Sequence, residues 1–306
     1  MATESTSNAG TVLITGASTG IGAAAALRLD RAGWRVFAGV RKPADGETLR
    51  AQASARLTPI IIDVTDQTSI DAAAAEVTRA VGGTGLAGLV NNAGISVAGP
   101  IELVPVDDLR RQLEVNVIGQ VAVTQAFMPL IRDARGRVVF IGSIGGRMST
   151  PFLGPYSASK FALEAIADAM RVEMRPWRIH VAIVEPGSIK TPFWDKGLSD
   201  ADVMERKLTP EGHALYDEAI AAVKSVAGEF ASRGIPPDAV AKAIEHALTS
   251  TLPKTRYLVG NDARLQAALA TWVPDRMVDG LIARQLKLPK TAKDPAVAAR
   301  TKEPVA

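Results

Sequence analysis

The chain has 306 residues, with 35 basic against 32 acidic side chains for a net charge of +3, and 47% of it is hydrophobic. This balance gives no case for nucleic acid, and the length and apolar content suffice for one large core. With no cysteine, disulfides and thiolate metal sites are excluded; the three histidines, His180, His213 and His246, lack ligand spacing, so no metal is expected.

In chain order, MATESTSNAG (1–10) lacks the basic start and apolar centre of a secretory signal and reads as a short disordered leader. TVLITGASTGIGAAAALRLDRAG follows as a short buried strand, a glycine-rich turn and an Ala/Leu helix. Its glycines, Gly16, Gly20 and Gly22, are spaced G-x-x-x-G-x-G, which differs from the G-x-G-x-x-G dinucleotide fingerprint. The physics is shared: bare backbone admits a pyrophosphate, and a helix amino terminus offers free N–H groups and partial positive charge. Ser18 and Thr19 add hydroxyls beside Ile21, so residues 16, 18–22 form the candidate cradle, with a ligand-free turn as the plainer alternative.

Six further strands are expected at 35–40, 59–63, 86–91, 136–142, 178–184 and 256–259, after the first at 11–15, with helical crossovers between them. That alternation predicts a single-domain α/β fold over 11–260, a doubly wound Rossmann-like parallel sheet of seven strands flanked by helices. The second strand ends in Val40, followed by Arg41 and Lys42. A carboxylate there would repel a 2′-phosphate, whereas a guanidinium can clamp one, so NADP(H) is expected over NAD(H). NAD(H), with a merely solvated basic pair, is the alternative.

RVVFIGS reads as a buried strand that delivers Ser143 to the carboxyl edge of the sheet, where ligands bind in such folds. YSASKFALEAIADAM reads as helix, which puts Tyr156 and Lys160 on one face. A free phenol has a pKa of about 10. An ammonium about 4 Å away, at an effective dielectric near 20, would favour phenolate by roughly 4 kcal/mol, about three pKa units. Tyr156 would then work as an acid/base near neutral pH.

TGASTGIG (15–22), NNAG (91–94), Asn116, Ser143, YSASK (156–160) and PGSIKT (186–191) together resemble the short-chain dehydrogenase/reductase family from about residue 11 to 195. The resemblance implies Tyr156 as general acid/base, Lys160 as the group that lowers its pKa and holds the nicotinamide ribose, and Ser143 as the carbonyl-positioning hydroxyl. Asn116 would hold a water that relays protons to Lys160. It also implies that Asn92, Ala93 and Gly94 line the adenine-side ribose, that Asp63 with Val64 meets the adenine, that Pro186 and Gly187, at the end of a buried strand, belong to the cofactor contact, and that Ile189 and Thr191 face the nicotinamide carboxamide and phosphates. VFAGVRKPADG and the long segment 192–235 resemble the steroid- and retinoid-handling branch.

Hydride exchange with a small-molecule carbonyl or secondary alcohol is therefore expected, the alternative being a non-catalytic nucleotide sensor or scaffold on the same fold. Segment 192–235 should carry specificity, with Phe193, Trp194, Leu198, Met204, Leu215, Tyr216 and Phe230 against Met148, Phe152 and Leu153. The family's dimers or tetramers would form through long helices near 106–131 and 155–175. An extension over 261–286 predicts one or two amphipathic helices with Leu265, Leu269, Trp272, Val273, Met277, Leu281 and Ile282 on apolar faces, free to cover the pocket, dock on the core or lie on a membrane surface. The basic tail 287–306 reads as disordered. No apolar run reaches the ~18 residues of a spanning helix, and cytoplasmic placement is the expectation.

Overall fold

The computed structural model describes residues 9–289, so the expected leader and tail lie almost wholly outside the described residues. The elements run β1 (Thr11–Ile14), α1 (Gly20–Arg31), β2 (Arg35–Val40), α2 (Pro43–Arg50), β3 (Leu57–Ile61), α3 (Gln67–Val81), β4 (Gly88–Asn91), α4 (Val106–Leu113) and α5 (Gly119–Ala134). They continue β5 (Arg137–Ile141), α6 (Gly154–Glu173), β6 (His180–Pro186), α7 (Phe193–Glu205), α8 (Pro210–Arg233), α9 (Asp238–Thr249), β7 (Arg256–Val259), α10 (Asn261–Trp272) and α11 (Asp275–Gln285).

All seven strands pair in parallel in the order β3-β2-β1-β4-β5-β6-β7. Because strand side chains alternate faces, the buried run Val12, Leu13, Ile14 feeds two cores. Val12 and Ile14 join Leu29, Val240, Ile244 and Leu248 beside α1 and α9. Leu13 joins Phe37, Phe127, Ile131, Phe140 and Leu163 beneath α3, α5 and α6. The order reverses between β1 and β4, and at such a switch point the carboxyl ends of the strands leave a crevice.

Local chemistry sets the helix ends. The Asp66 carboxylate accepts the Thr68 N–H at 2.9 Å to start α3, and Gly82 ends it in the left-handed region at φ 56°. The helix expected over 106–131 is interrupted by a π turn at Glu114–Ile118. Gly119 explains the local fit: a Cβ there would lie 2.5 Å from the Val64 carbonyl oxygen. The strand expected over 59–63 lies at Leu57–Ile61, which leaves Asp63 in the following loop.

The segment 192–235 is two helices, α7 and α8, tied at both ends to the core: Lys190 N–H donates to the Ile235 carbonyl at 2.9 Å and Ile235 N–H to Ser188 at 3.0 Å. The extension forms α10 and α11, and it docks on the core. Of the residues expected on its apolar faces, Leu265, Trp272, Met277 and Leu281 are exposed, and the small Ala263 and Ala267 make the contact with Ile144. Among the described residues no helix is long and apolar enough to cross a membrane.

Candidate active site

At the end of β1 the chain turns through Gly16 (φ 65°) and Gly20 (φ 60°), backbone that L residues rarely adopt. A Cβ on Gly22 would lie 2.3 Å from the Gly16 carbonyl, so the turn closes tightly on α1. Thr19 precedes α1 and makes no side-chain cap, leaving its hydroxyl and the first N–H groups of the helix open to a ligand. The turn fits a pyrophosphate in shape and in donors. Asn92 braces it, its amide donating to the carbonyls of Thr15 (2.9 Å) and Gly16 (3.0 Å), while the Thr15 hydroxyl accepts the N–H groups of Asn92 and Ala93.

Arg41 and Lys42 follow β2 and are exposed. Among the described residues neither side chain makes a hydrogen bond or ion pair; Arg41 acts on Asp63 only through its charge. Asp63 accepts the N–H (3.0 Å) and hydroxyl (2.7 Å) of Thr65, and although burial opposes it, these bonds and Arg41 hold the carboxyl below its ordinary range. Val64 lies buried beside it.

Ser143 leaves β5 and opens a 3-10 turn (Ile144–Gly146), its Oγ accepting the Gly145 N–H at 3.1 Å. A Cβ on Gly146 would lie 2.9 Å from the Lys160 carbonyl, so this turn rests on the backbone of α6. The Tyr156 phenol is driven up by burial, opposed by a hydrogen bond with Ser143. Lys160 is 4% exposed, and its Nζ donates to the Ile141 carbonyl at 2.8 Å, 5.7 Å from the centre of the Tyr156 ring. Burial lowers its pKa to about 8.

This corrects one expectation. The Lys160 ammonium is turned to the Ile141 carbonyl, and burial holds the Tyr156 phenol above its ordinary value against the hydrogen bond with Ser143. Asn116 occupies the π turn, fully buried. Its Oδ1 accepts the Ile95 N–H at 2.8 Å, and its Nδ2 donates to the Ile95 carbonyl and the Ser159 hydroxyl, each at 3.1 Å. Both amide donors are spent bracing the loop after β4, where Gly94 lies, against α6. A relay water would have to use the second lone pair of Oδ1 or the backbone of the π turn.

Pro186 ends β6, and Gly187 follows where a Cβ would lie 2.3 Å from the Asp262 carboxylate. That carboxylate accepts the Ser188 N–H at 2.7 Å, so α10 holds the loop that carries Ile189 and Thr191. Thr191 lies beside the glycine-rich turn, 3.3 Å from where a Gly20 Cβ would be. Sequence reasoning missed Asp262, because an acidic residue at a helix start ordinarily reads as a local cap.

Phe193, the first residue of α7, meets the Tyr156 ring with centroids 5.6 Å apart. Farther out, a cavity of about 590 Å³ is lined by Pro100, Ile101, Phe152, Tyr216, Ile282 and Ala283 among others, so α8 and α11 both contribute walls. Phe152 meets Tyr216 edge-on at 6.3 Å and holds φ 67°, a strained conformation for a bulky residue. Among the described residues no group of His, Asp and Glu could hold a metal ion.

The short chain dehydrogenase family model matches residues 10–202. Retinol dehydrogenase 5 of Mus musculus is 39% identical over 277 residues, covering 89% of this chain and 87% of that protein. An NADPH-dependent 3-dehydrocapnine reductase of Ornithobacterium rhinotracheale is 37% identical, covering 90% and 96%. A short-chain dehydrogenase structure from Streptomyces avermitilis superposes with a TM-score of 0.71 at 27% identity, covering 99% of this chain and 100% of that one. The chain belongs to the short-chain dehydrogenase/reductase family, in its steroid- and retinoid-type branch, and is an NAD(P)-dependent oxidoreductase.

Proposed function

We propose that the protein exchanges hydride between NADP(H) and a lipophilic carbonyl or secondary alcohol, steroid-, retinoid- or aromatic-like, with Tyr156 as the general acid/base. The observation that carries this reading is the convergence of Ser143, Tyr156 and Lys160 at the carboxyl edge of the sheet that also bears the glycine-rich turn. The apolar walls Ile101, Phe152, Phe193 and Ile282 support the substrate class. The Arg41 side chain, unpaired among the described residues, supports the 2′-phosphate, as does the cofactor named for the 3-dehydrocapnine reductase.

When bound, the nicotinamide supplies or accepts the hydride. The chain's own residues handle the proton. Ser143 holds the substrate oxygen and keeps its bond to the phenol, so that Tyr156 delivers a proton as the oxygen gains charge, or removes one in the oxidative direction. Lys160, already at about 8, sits within reach of the phenol face and keeps a cation there through most of the neutral range. Phe193, packed on the Tyr156 ring, shields the reacting oxygen from water.

Reduced-nicotinamide absorbance with steroid, retinoid, aromatic and short-chain carbonyls, beside Tyr156→Phe, tests this. Turnover with NADPH that is lost in the variant is expected; activity confined to small polar sugars would overturn the substrate class. The same proposal places the protein in the cytoplasm as a homodimer or homotetramer, paired through the exposed Val106, Ile118, Phe161 and Val172 on and between α4 and α6. Cell fractionation and light scattering check those two points.

A further inference from the structure

A partly buried cluster of charge built around the fully buried Glu185, none of it part of the proton-handling set, lies beneath the Ser143 turn. Glu185, with none of its side chain exposed, faces Arg147, whose Nε and Nη2 lie 2.7 and 3.1 Å from its two carboxylate oxygens. Arg256 joins them: its Nε donates to Glu164 at 3.0 Å and lies 3.4 Å from Glu185, and its Nη2 donates to Asp168 at 2.6 Å. Arg171 pairs with the other oxygen of Asp168. Three carboxylates and three guanidiniums from four parts of the fold thus neutralise one another.

Their places in the chain give the cluster its meaning. Arg147 closes the 3-10 turn that Ser143 opens. Glu164 and Asp168 lie one and two turns beyond Lys160 on α6. Glu185 lies on β6 two residues before Gly187, and Arg256 begins β7. The turn bearing Ser143 and the helix bearing Tyr156 are therefore fastened to one another through Glu185 and Arg256, and not only through their own contact.

We propose that this cluster positions the Ser143 hydroxyl against the Tyr156 phenol, which makes Arg147 and Glu185 positioning residues of the reaction. The inference rests on the oxidoreductase reading above. The Arg147 guanidinium donates through Nη2 to one oxygen of Glu185, while its Nε lies against the other oxygen as an ion pair without hydrogen-bond alignment, so one directed bond and the charge together hold the turn to β6. Burying such charges adds little net stability over an apolar replacement of similar size, so a role in geometry accounts better for their presence than a role in stability. Burial, with Glu185 close by, pushes the Glu164 carboxyl up to about 7 against the pull of Arg256 and Arg147, so the cluster also bears on the pH profile.

The test compares full-length wild type, Arg147→Lys and the doubly apolar Arg147→Met/Glu185→Met. Three readouts are used: kcat and KM with the best carbonyl of the panel, the NADPH dissociation constant, and unfolding temperature. The midpoint of Tyr156 ionisation is read separately, as the tyrosinate absorbance lost when Tyr156→Phe is added to each background. Expected are a ~10- to 100-fold fall in kcat in both variants, NADPH affinity within twofold, and a raised Tyr156 midpoint, with the double variant near wild type in unfolding temperature. Arg147→Lys with wild-type kcat and midpoint would overturn the proposal, as would recovery of kcat in the double variant. Wild type that binds NADPH but reduces nothing would count against the oxidoreductase reading instead, and the Tyr156 midpoint would still decide the positioning role.

Discussion

Phe193 rests against Tyr156 with ring planes inclined at 54°, so the residue that opens the substrate segment touches the residue proposed to move the proton. A tilted aromatic pair of this kind contributes ~0.5–1.5 kcal/mol beyond its buried area. Phe193→Ala should therefore lower kcat/KM for the best lipophilic substrate by about 3- to 10-fold while leaving NADPH affinity unchanged. Steady-state kinetics beside cofactor titration would show it.

Lys160 carries a sign that can be measured. Its pKa falls from 10.5 to about 8 on burial, so between those values the unfolded chain binds the extra proton. Ligand-free stability should thus rise with pH across that window, by roughly 3 kcal/mol at most from this group. In Lys160→Met that part of the slope should vanish. Urea denaturation across the window tests it.

Among the described residues the Arg41 side chain has no partner beyond its long-range pull on Asp63. Loss of a charge-assisted contact to a phosphate costs about 1.5–3 kcal/mol. Arg41→Ala should reduce kcat/KM with NADPH by about 10- to 100-fold and change the value with NADH by less than twofold.

Gly187 and Asp262 should be coupled. Gly187→Ala places a Cβ against the Asp262 carboxylate and displaces it from Ser188. The single change should destabilise by about 1–3 kcal/mol, and Asp262→Ala added to it should cost less than the sum of the two. Thermal unfolding of the four proteins in this cycle gives the coupling directly.

Phe152 is held at φ 67°. Phe152→Gly should relieve about 1 kcal/mol of backbone strain, offset in part by the greater freedom of glycine in the unfolded chain. The same change removes a cavity wall, so stability near wild type with a raised KM for the lipophilic substrate is expected.

Much of this architecture was legible from periodicity and glycine placement. The runs TVLI, RVFAGV and HVAIVEP are buried on both faces, and such runs announce a parallel sheet before any partner is known. The glycine-rich turn and the Tyr156–Lys160 spacing were equally plain, because each depends on residues adjacent in the chain. What escaped depends on distant residues. The Lys160 ammonium turns to a carbonyl of β5, and nothing near Lys160 in sequence announces that choice. Arg147, Glu185 and Arg256 look like ordinary surface charges until the sheet brings them together. The π turn at Asn116 was hidden because its residues suit an ordinary helix, and the close approach of Gly119 to Val64 comes from tertiary packing.

The docking of α10 under the Ser143 turn has a consequence for biosynthesis. Ile144 packs on Ala263 and Ala267, and Asp262 secures the loop after β6. These residues lie C-terminal to the glycine-rich turn, to Ser143, Tyr156 and Lys160, and to the Gly187 loop. During vectorial synthesis the sheet through β6 can form while the ribosome is still making α8 and α9, yet the Ser143 turn and the Gly187 loop lack their support until α10 has emerged. A nascent chain paused before β7 would hold a nearly complete nucleotide cradle beside an unfinished proton-handling site, so cofactor affinity should mature earlier in translation than turnover.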